Sequence, residues 1–321
     1  MRVYAAGQVH AALPWPALVE ALAQGFAAGA NVPPRHVHTL GAGPSGTDTL
    51  LLMPAWNERV LGHKIVTVLP GNPAQGRPAV GASYLLLDRR SGEPLALLDG
   101  EALTLRRTAA VSALAARQLA REDTSRLLVV GAGRLAPWML RAHVAMRPAL
   151  REVAVWARDA DAAQALVDAV APALAEDLPS RTPPTLGVAT DLAAAVRRAH
   201  MVCCATSSTE PLVQGADLRP GTHLDLVGGF RPEMREVDDD AVAAAQVIVV
   251  DTRAGAAAEA GDLVQPMQCG RVGVGALRGE LAELLRGEIV GRRSADEVTL
   301  FKSVGTALAD LAAAQAVVGA G

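Results

Sequence analysis

Two hydrophobic periods alternate along the 321-residue chain. From about residue 115 onward, short β-branched runs recur between Ala-rich stretches. The runs are LLVVG (127–131), VAVW (153–156), TLGVA (185–189), MVCCAT (201–206), THLDLVG (222–228) and VIVVD (247–251). Several are apolar on both faces, as strands of a parallel sheet buried between helix layers must be. LAPWMLRAHVAM, ADAAQALVDAVAPAL, DLAAAVRRA and DDDAVAAA lie between them and read as helices. This alternation predicts an α/β fold with an open, doubly wound sheet of Rossmann type.

The first third is patterned differently. A helical stretch, WPALVEALAQGFAAG, precedes RHVHTL, DTLLLMPAW and GASYLLLD, whose alternation suggests an antiparallel or mixed sheet. Pro and Gly cluster in loops such as PGNPAQGRP (70–78). A long helix, EALTLRRTAAVSALAARQLAR, follows with Asp99 as its N-cap. Near the end, Ser294 and Glu297 have capping-box spacing, yet the VTLF that follows reads as a strand. A final helix over 305–318 returns to the first domain. The expected architecture is a discontinuous α+β domain for substrate binding and dimerisation (1–114 plus 297–321) and a Rossmann dinucleotide-binding domain (115–296). No internal repeat is visible.

Composition narrows the function classes. A net charge of −3 gives no general attraction for nucleic acid, and 3% aromatic residues offer few base-stacking surfaces. Cys203, Cys204 and Cys269 cannot form a disulfide framework, and the first two, adjacent in a strand, point to opposite faces. The N-terminal stretch lacks the continuous apolar run of a secretion signal, and no segment reaches the ~20 apolar residues of a membrane span. These features suggest a cytoplasmic, enzyme-sized protein with no membrane or nucleic-acid partner.

Candidate chemistry begins at LLVVGAGRLAPWML. Gly131, Ala132 and Gly133 follow a strand directly, and Arg134, Leu135 and the small Ala136 lead into a helix. In a G-x-G-x-x-A turn the first glycine makes the bend and the second lets a pyrophosphate approach the backbone. The sixth residue lets helix and strand pack closely, and the helix N-terminus favours the phosphates. Position 157 lies 26 residues after Gly131, at the end of VAVW, where NAD binding calls for an acid on the ribose. Ala157 stands there, followed by Arg158. A neutral residue followed by arginine removes repulsion of a 2′-phosphate and supplies a partner for it. NADP(H) is therefore the expected cofactor, while the nearby Asp159 keeps NAD(H) possible.

The chain resembles the ornithine cyclodeaminase/mu-crystallin family over nearly its whole length. The resemblance is carried by LLDGEALTLRRTAAVSALAARQLA, VVGAGRLA, VWARD, TSSTEPLV, RPGTHLDLVGGFRPEMREVDDD, EAGDL and VTLFKSVGTALADLAA. It is closest to the mu-crystallin branch, whose members resemble NADPH-dependent ketimine reductases. It implies a homodimer paired through the non-Rossmann domain. It also implies substrate-carboxylate groups at Arg35 in PPRHV, Lys64 in GHKIV and Arg107 in LRRTAA. Two guanidinium groups can fork onto a carboxylate while a lysine adds charge beside the carbon that takes a hydride. Thr108, Thr206, Ser208, Val227 and Ser303 match positions that line the cofactor.

Two departures matter. Phe230, in VGGFRPEM, replaces the catalytic Asp of the cyclodeaminase and alanine dehydrogenase branches. Cyclodeamination needs a proton-handling group that phenylalanine cannot supply. Reduction of a preformed cyclic imine asks for less, and Lys64 is the candidate proton donor. Arg134-Leu135 also differs from the smaller residue and Gln usual in relatives, so Arg134 is a candidate phosphate contact. The expected activity is NADPH-dependent reduction of small cyclic ketimine carboxylates. The alternatives are an ornithine cyclodeaminase or amino-acid dehydrogenase, and a non-catalytic ligand-binding protein that keeps NADPH. Among the remaining groups, His36 and His38 share one strand face without Cys or carboxylate companions, so no metal is expected. VDDDAV reads as an acidic helix start, and ATSST lacks Ser-His-Asp logic.

Overall fold

The computed structural model describes residues 1–43 and 45–320, and for Val274 the backbone alone. Two compact units divide the chain. One comprises Met1–Thr108 and Ala307–Gly321, the other Ala109–Thr306.

The first unit begins with β1 (Arg2–Tyr4), α1 (Ala6–Ala11) and α2 (Trp15–Ala28). It continues through β2 (His36–Gly43), β3 (Gly46–Trp56), β4 (Val60–Val68), β5 (Val80–Asp88) and β6 (Pro94–Asp99). These strands form one sheet in the order β1-β6-β5-β4-β3-β2, antiparallel except where β1 runs parallel to β6. One face carries Met53, Lys64, Tyr84 and Leu98 in a single cross-strand row, all buried. The opposite face is apolar as well but less covered, with Leu52, Leu85 and Leu97 half-buried and Ile65 and Val3 exposed. Asp99 starts α3 (Gly100–Leu119) by accepting the Ala102 N–H at 2.8 Å, as an N-cap does.

The second unit is the doubly wound half. Its first turns are β7 (Arg126–Val130), α4 (Ala136–Met146), β8 (Glu152–Trp156), α5 (Ala160–Asp177), β9 (Thr185–Val188) and α6 (Leu192–Arg198). Then come β10 (Met201–Cys204), β11 (His223–Leu226), α7 (Asp239–Ala244), β12 (Ala245–Val250), α8 (Arg253–Glu259) and α9 (Gly261–Gln268). It ends with β13 (Leu277–Glu280), α10 (Leu281–Leu285) and β14 (Val298–Lys302). All eight strands are parallel, in the order β13-β12-β14-β11-β10-β7-β8-β9. The order reverses between β7 and β10, so the crevice where such sheets take ligands opens beyond the carboxyl ends of these two strands.

The domain expectation needs a correction at its far edge. Residues 297–302 do not return to the first domain. VTLFK is the strand β14, wholly buried and paired with β11 on one side and β12 on the other. A strand with both edges bonded and both faces buried belongs to the sheet that surrounds it. The chain re-enters the first unit at Ala307, where α11 (Ala307–Gly319) packs on α2, β3 and β4. The near boundary also moves, from 114 to Thr108 within α3. Ser294 and Glu297 exchange the two bonds of a capping box, at 3.2 and 3.3 Å, but they close a turn before β14 and not a helix. No helix among the described residues is long and apolar enough to cross a membrane.

Candidate functional site

In the second unit, Gly131 directly follows β7 with φ +117°, a conformation that residues other than glycine rarely adopt. A Cβ there would lie 2.7 Å from the Ala205 carbonyl oxygen, so the turn is pressed against the strand across the switch point. Two residues on, Gly133 is exposed and a Cβ would meet nothing within 4 Å. The turn therefore leaves free space beside bare backbone, as pyrophosphate binding requires. Ala132 and Leu135 are half-buried and Arg134 is exposed. Ala136 is fully buried at the first turn of α4, where a larger residue would hold helix and strand apart. These residues fit a dinucleotide.

At the end of β8, Ala157 is half-buried and Arg158 exposed. Asp159 is the N-cap of α5, and its Oδ1 accepts the N–H groups of Asp161 and Ala162 at 3.0 and 3.3 Å. Its carboxylate is thus engaged by its own helix.

The loops after β10 and β11 are tied together by one carboxylate that the sequence reading passed over. Glu236, fully buried, accepts the Thr206 N–H (2.7 Å) and hydroxyl (3.0 Å) on Oε1. Its Oε2 accepts the N–H groups of Gly228 (2.8 Å) and Gly229 (3.3 Å). Behind it, Asp262 Oδ1 accepts the N–H groups of Glu236 and Val237, and its Oδ2 pairs with Lys302 Nζ at 2.9 Å. Burial pushes the Glu236 carboxyl up to about 7, with Lys302 opposing that rise and Asp262 adding to it. The other expected cofactor positions are also anchored. The Ser208 hydroxyl donates to the Glu210 carbonyl, Val227 is buried with its N–H on Cys204, and Ser303 donates to Asp251 at 2.8 Å.

The first unit holds the cationic residues. Lys64 and Arg107 are both buried and both donate to Asp310 Oδ1, at 3.1 Å from Nζ and 2.8 Å from Nε. Asp310, on α11, is the residue that sequence reading missed, because an acid in the apolar stretch VGTALADLAAAQAVV carried no motif. Burial works to raise its carboxyl, but Arg107 and Lys64 outweigh it and hold it below the usual carboxylate range. Burial lowers the Lys64 ammonium to about 8; Asp310 resists this, and Arg107 and Arg35 reinforce it. Arg35 precedes β2, is half-buried, and is close enough for its charge to reach Lys64. Thr108 follows Arg107 on α3 and is buried. Gly62 makes room for the row that holds Lys64, since a methyl there would collide with the Tyr84 hydroxyl.

Two positive charges against one negative leave this cluster one charge in excess. Arg107 uses Nε toward Asp310, and its terminal amino groups have no acceptor among the described residues. A fork of this kind suits one carboxylate of a small anion.

Other chemistry-bearing groups are structural. His143, Cys203 and Asp225 approach one another in the core, but the Asp225 oxygens are taken by Ser112 (2.9 Å) and His143 (2.8 Å). His36 and His38 share a face of β2 with rings 6.4 Å apart, as their alternation predicts.

Comparison with known proteins places this geometry in a lineage. Residues 6–319 match the model of the ornithine cyclodeaminase/mu-crystallin family. Protein SAR DEFICIENT 4 of Arabidopsis thaliana is 40% identical over 277 residues, 85% of this chain and 83% of that protein. The Delta(1)-pyrroline-2-carboxylate reductase of Colwellia psychrerythraea is 36% identical over 323 residues, 99% of this chain and 98% of the reductase. Among solved structures, Thermococcus litoralis Delta(1)-pyrroline-2-carboxylate reductase, in complex with NADH and L-proline, superposes with a TM-score of 0.90. It is 29% identical, and the match covers 100% of this chain and 97% of that one. With its nucleotide turn, its paired loops and its buried cations all lying within one family-length match, the chain belongs to the ornithine cyclodeaminase/mu-crystallin family.

Proposed function

We propose that the protein is an NADPH-dependent oxidoreductase that reduces the C=N bond of small cyclic ketimine carboxylates of the pyrroline- or piperideine-2-carboxylate kind. The observation that carries this reading is the Lys64–Asp310–Arg107 cluster, one charge in excess, with an arginine fork left for a carboxylate. The reductase names of full-length relatives support it.

In this reading the terminal amino groups of Arg107 hold the substrate carboxylate, and Arg35 adds a third positive charge. Gly131, Ala132, Gly133, Arg134 and Leu135, with Thr108, Thr206, Ser208, Val227 and Ser303 as further contacts, would hold NADPH, which when bound would be the source of the hydride that the imine carbon takes. Lys64 gives a proton to the ring nitrogen, so the double bond becomes a C–H and an N–H. An ammonium lowered to about 8 keeps its proton at neutral pH yet releases it readily. Phe230 offers no group for the extra proton transfers of cyclodeamination.

NADP(H) preference rests on Ala157 and Arg158, and gains support from Asp159, whose carboxylate is occupied as a helix cap. A homodimer is supported by the apolar, thinly covered sheet face around Leu52, Ile65, Leu85 and Leu97. A cytoplasmic setting agrees with three free cysteines.

One assay series tests the reading. Purified protein is offered NADPH with cyclic imines, NADPH with pyruvate and ammonia, and NAD+ with ornithine. NADPH oxidation with the imines alone is expected. Ammonia release from ornithine would mark a cyclodeaminase, and cofactor binding without turnover a binding protein; either sinks the proposal.

A further inference from the structure

A buried carboxylate that accepts four hydrogen bonds in the second unit is absent from the chemistry above. Glu236 receives hydrogen bonds from two loops, one at the carboxyl end of β10 and the other at the carboxyl end of β11. The loops also interlock sterically. A methyl on Gly228 would collide with the Thr206 carbonyl, so glycine alone allows their approach. Each oxygen of the carboxylate serves a different loop, and the ends of both loops carry proposed cofactor contacts, Thr206 on one and Val227 on the other. Asp262 fixes Glu236 from below through two main-chain bonds, and Lys302 pairs with the other oxygen of Asp262.

We infer that Glu236 is a positioning residue for the dinucleotide. Its carboxylate clamps the β10 and β11 loops into one rigid wall beside the switch-point crevice, braced by Asp262 and Lys302. A buried carboxylate accepting four donors at once is a costly group to desolvate, and leaving any of those donors unpaired is costly too. The arrangement therefore over-determines the loop conformation before any ligand arrives. Ordering loops in advance lowers the entropy lost on binding.

This inference rests on the cofactor reading above, and the experiment separates the two. Full-length wild type and Glu236→Gln are titrated with NADPH, assayed for KM and kcat, and compared by amide hydrogen exchange. Glutamine keeps the size but turns an N–H pair toward one loop. We expect the Kd and KM for NADPH to rise tenfold or more, the KM for the imine to stay within twofold, and the Thr206 and Gly228 amides to exchange faster. A variant with wild-type NADPH affinity and wild-type protection at both amides overturns the clamp. If Glu236→Gln does not fold, Glu236→Asp decides by the same readouts, since the shorter arm keeps the charge but reaches one loop. If wild type itself binds neither NADPH nor NADH, the cofactor reading fails, while the exchange data still judge the clamp.

Discussion

Lys64 stands in a row with Met53, Tyr84 and Leu98, a setting that strips its water and loosens its proton. As the proposed proton donor it must be charged to work, so activity should fall as pH rises through about 8. Lys64→Met should lower kcat by about 10²–10⁴-fold and flatten the residual profile between pH 6 and 9. A residual profile with the wild-type limb intact would remove Lys64 from the role. Asp310 raises the lysine against burial, so Asp310→Asn should move the alkaline limb to lower pH. The same change leaves two buried cations without their counter-ion, a loss of about 3–5 kcal/mol that thermal unfolding will register. Arg158 is a separable residue-scale case. Its replacement by alanine should weaken NADPH binding by roughly 10–100-fold, the worth of a charge-assisted phosphate bond, and leave NADH nearly unaffected. Equal losses for both cofactors would refute the assignment.

At the scale of elements, both helix starts read from sequence hold: Asp99 caps α3, and the acidic VDDD run opens α7, where the structure makes Asp238 the cap that accepts the Ala241 N–H. Asp159 shows how one residue can serve two readings. In sequence it stands where a ribose acid could stand; in the structure its carboxylate begins α5. Asp159→Ala should therefore cost about 1 kcal/mol, seen as a Tm lower by about 2–4 °C, with little change in the NADPH-to-NADH preference. A marked swing toward NADPH on removing it would return the residue to cofactor selection. The strand β14 was half-legible. VTLF looked like a strand, but its partners β11 and β12 begin 75 and 53 residues earlier, and nothing local indicates such pairings. The short elements β1, β13, α8 and α10 escaped for the related reason that three to seven residues carry too little periodicity.

For the whole molecule, the proposed dimer face gives a test on intact protein. Ile65→Lys places a charge in the centre of the apolar patch, and light scattering should then report a monomer where wild type is expected to be a dimer. An unchanged mass would move the interface elsewhere. The parallel sheet, its glycine turn and the family likeness were readable from the chain because each depends on neighbours in sequence. Two-sided apolar runs, a Gly-x-Gly bend and a cap are all local requirements. What the tertiary structure alone decided is which charges meet. Asp310 lies 246 residues from Lys64 and 203 from Arg107, and Glu236 bonds Thr206 and Gly228, 30 and 8 residues before it, in two different loops. An ion pair or a buried carboxylate is stabilised by proximity in space, which has no period to betray it in sequence. The chain thus announced its cofactor turn, and folding chose the partners that tune its lysine.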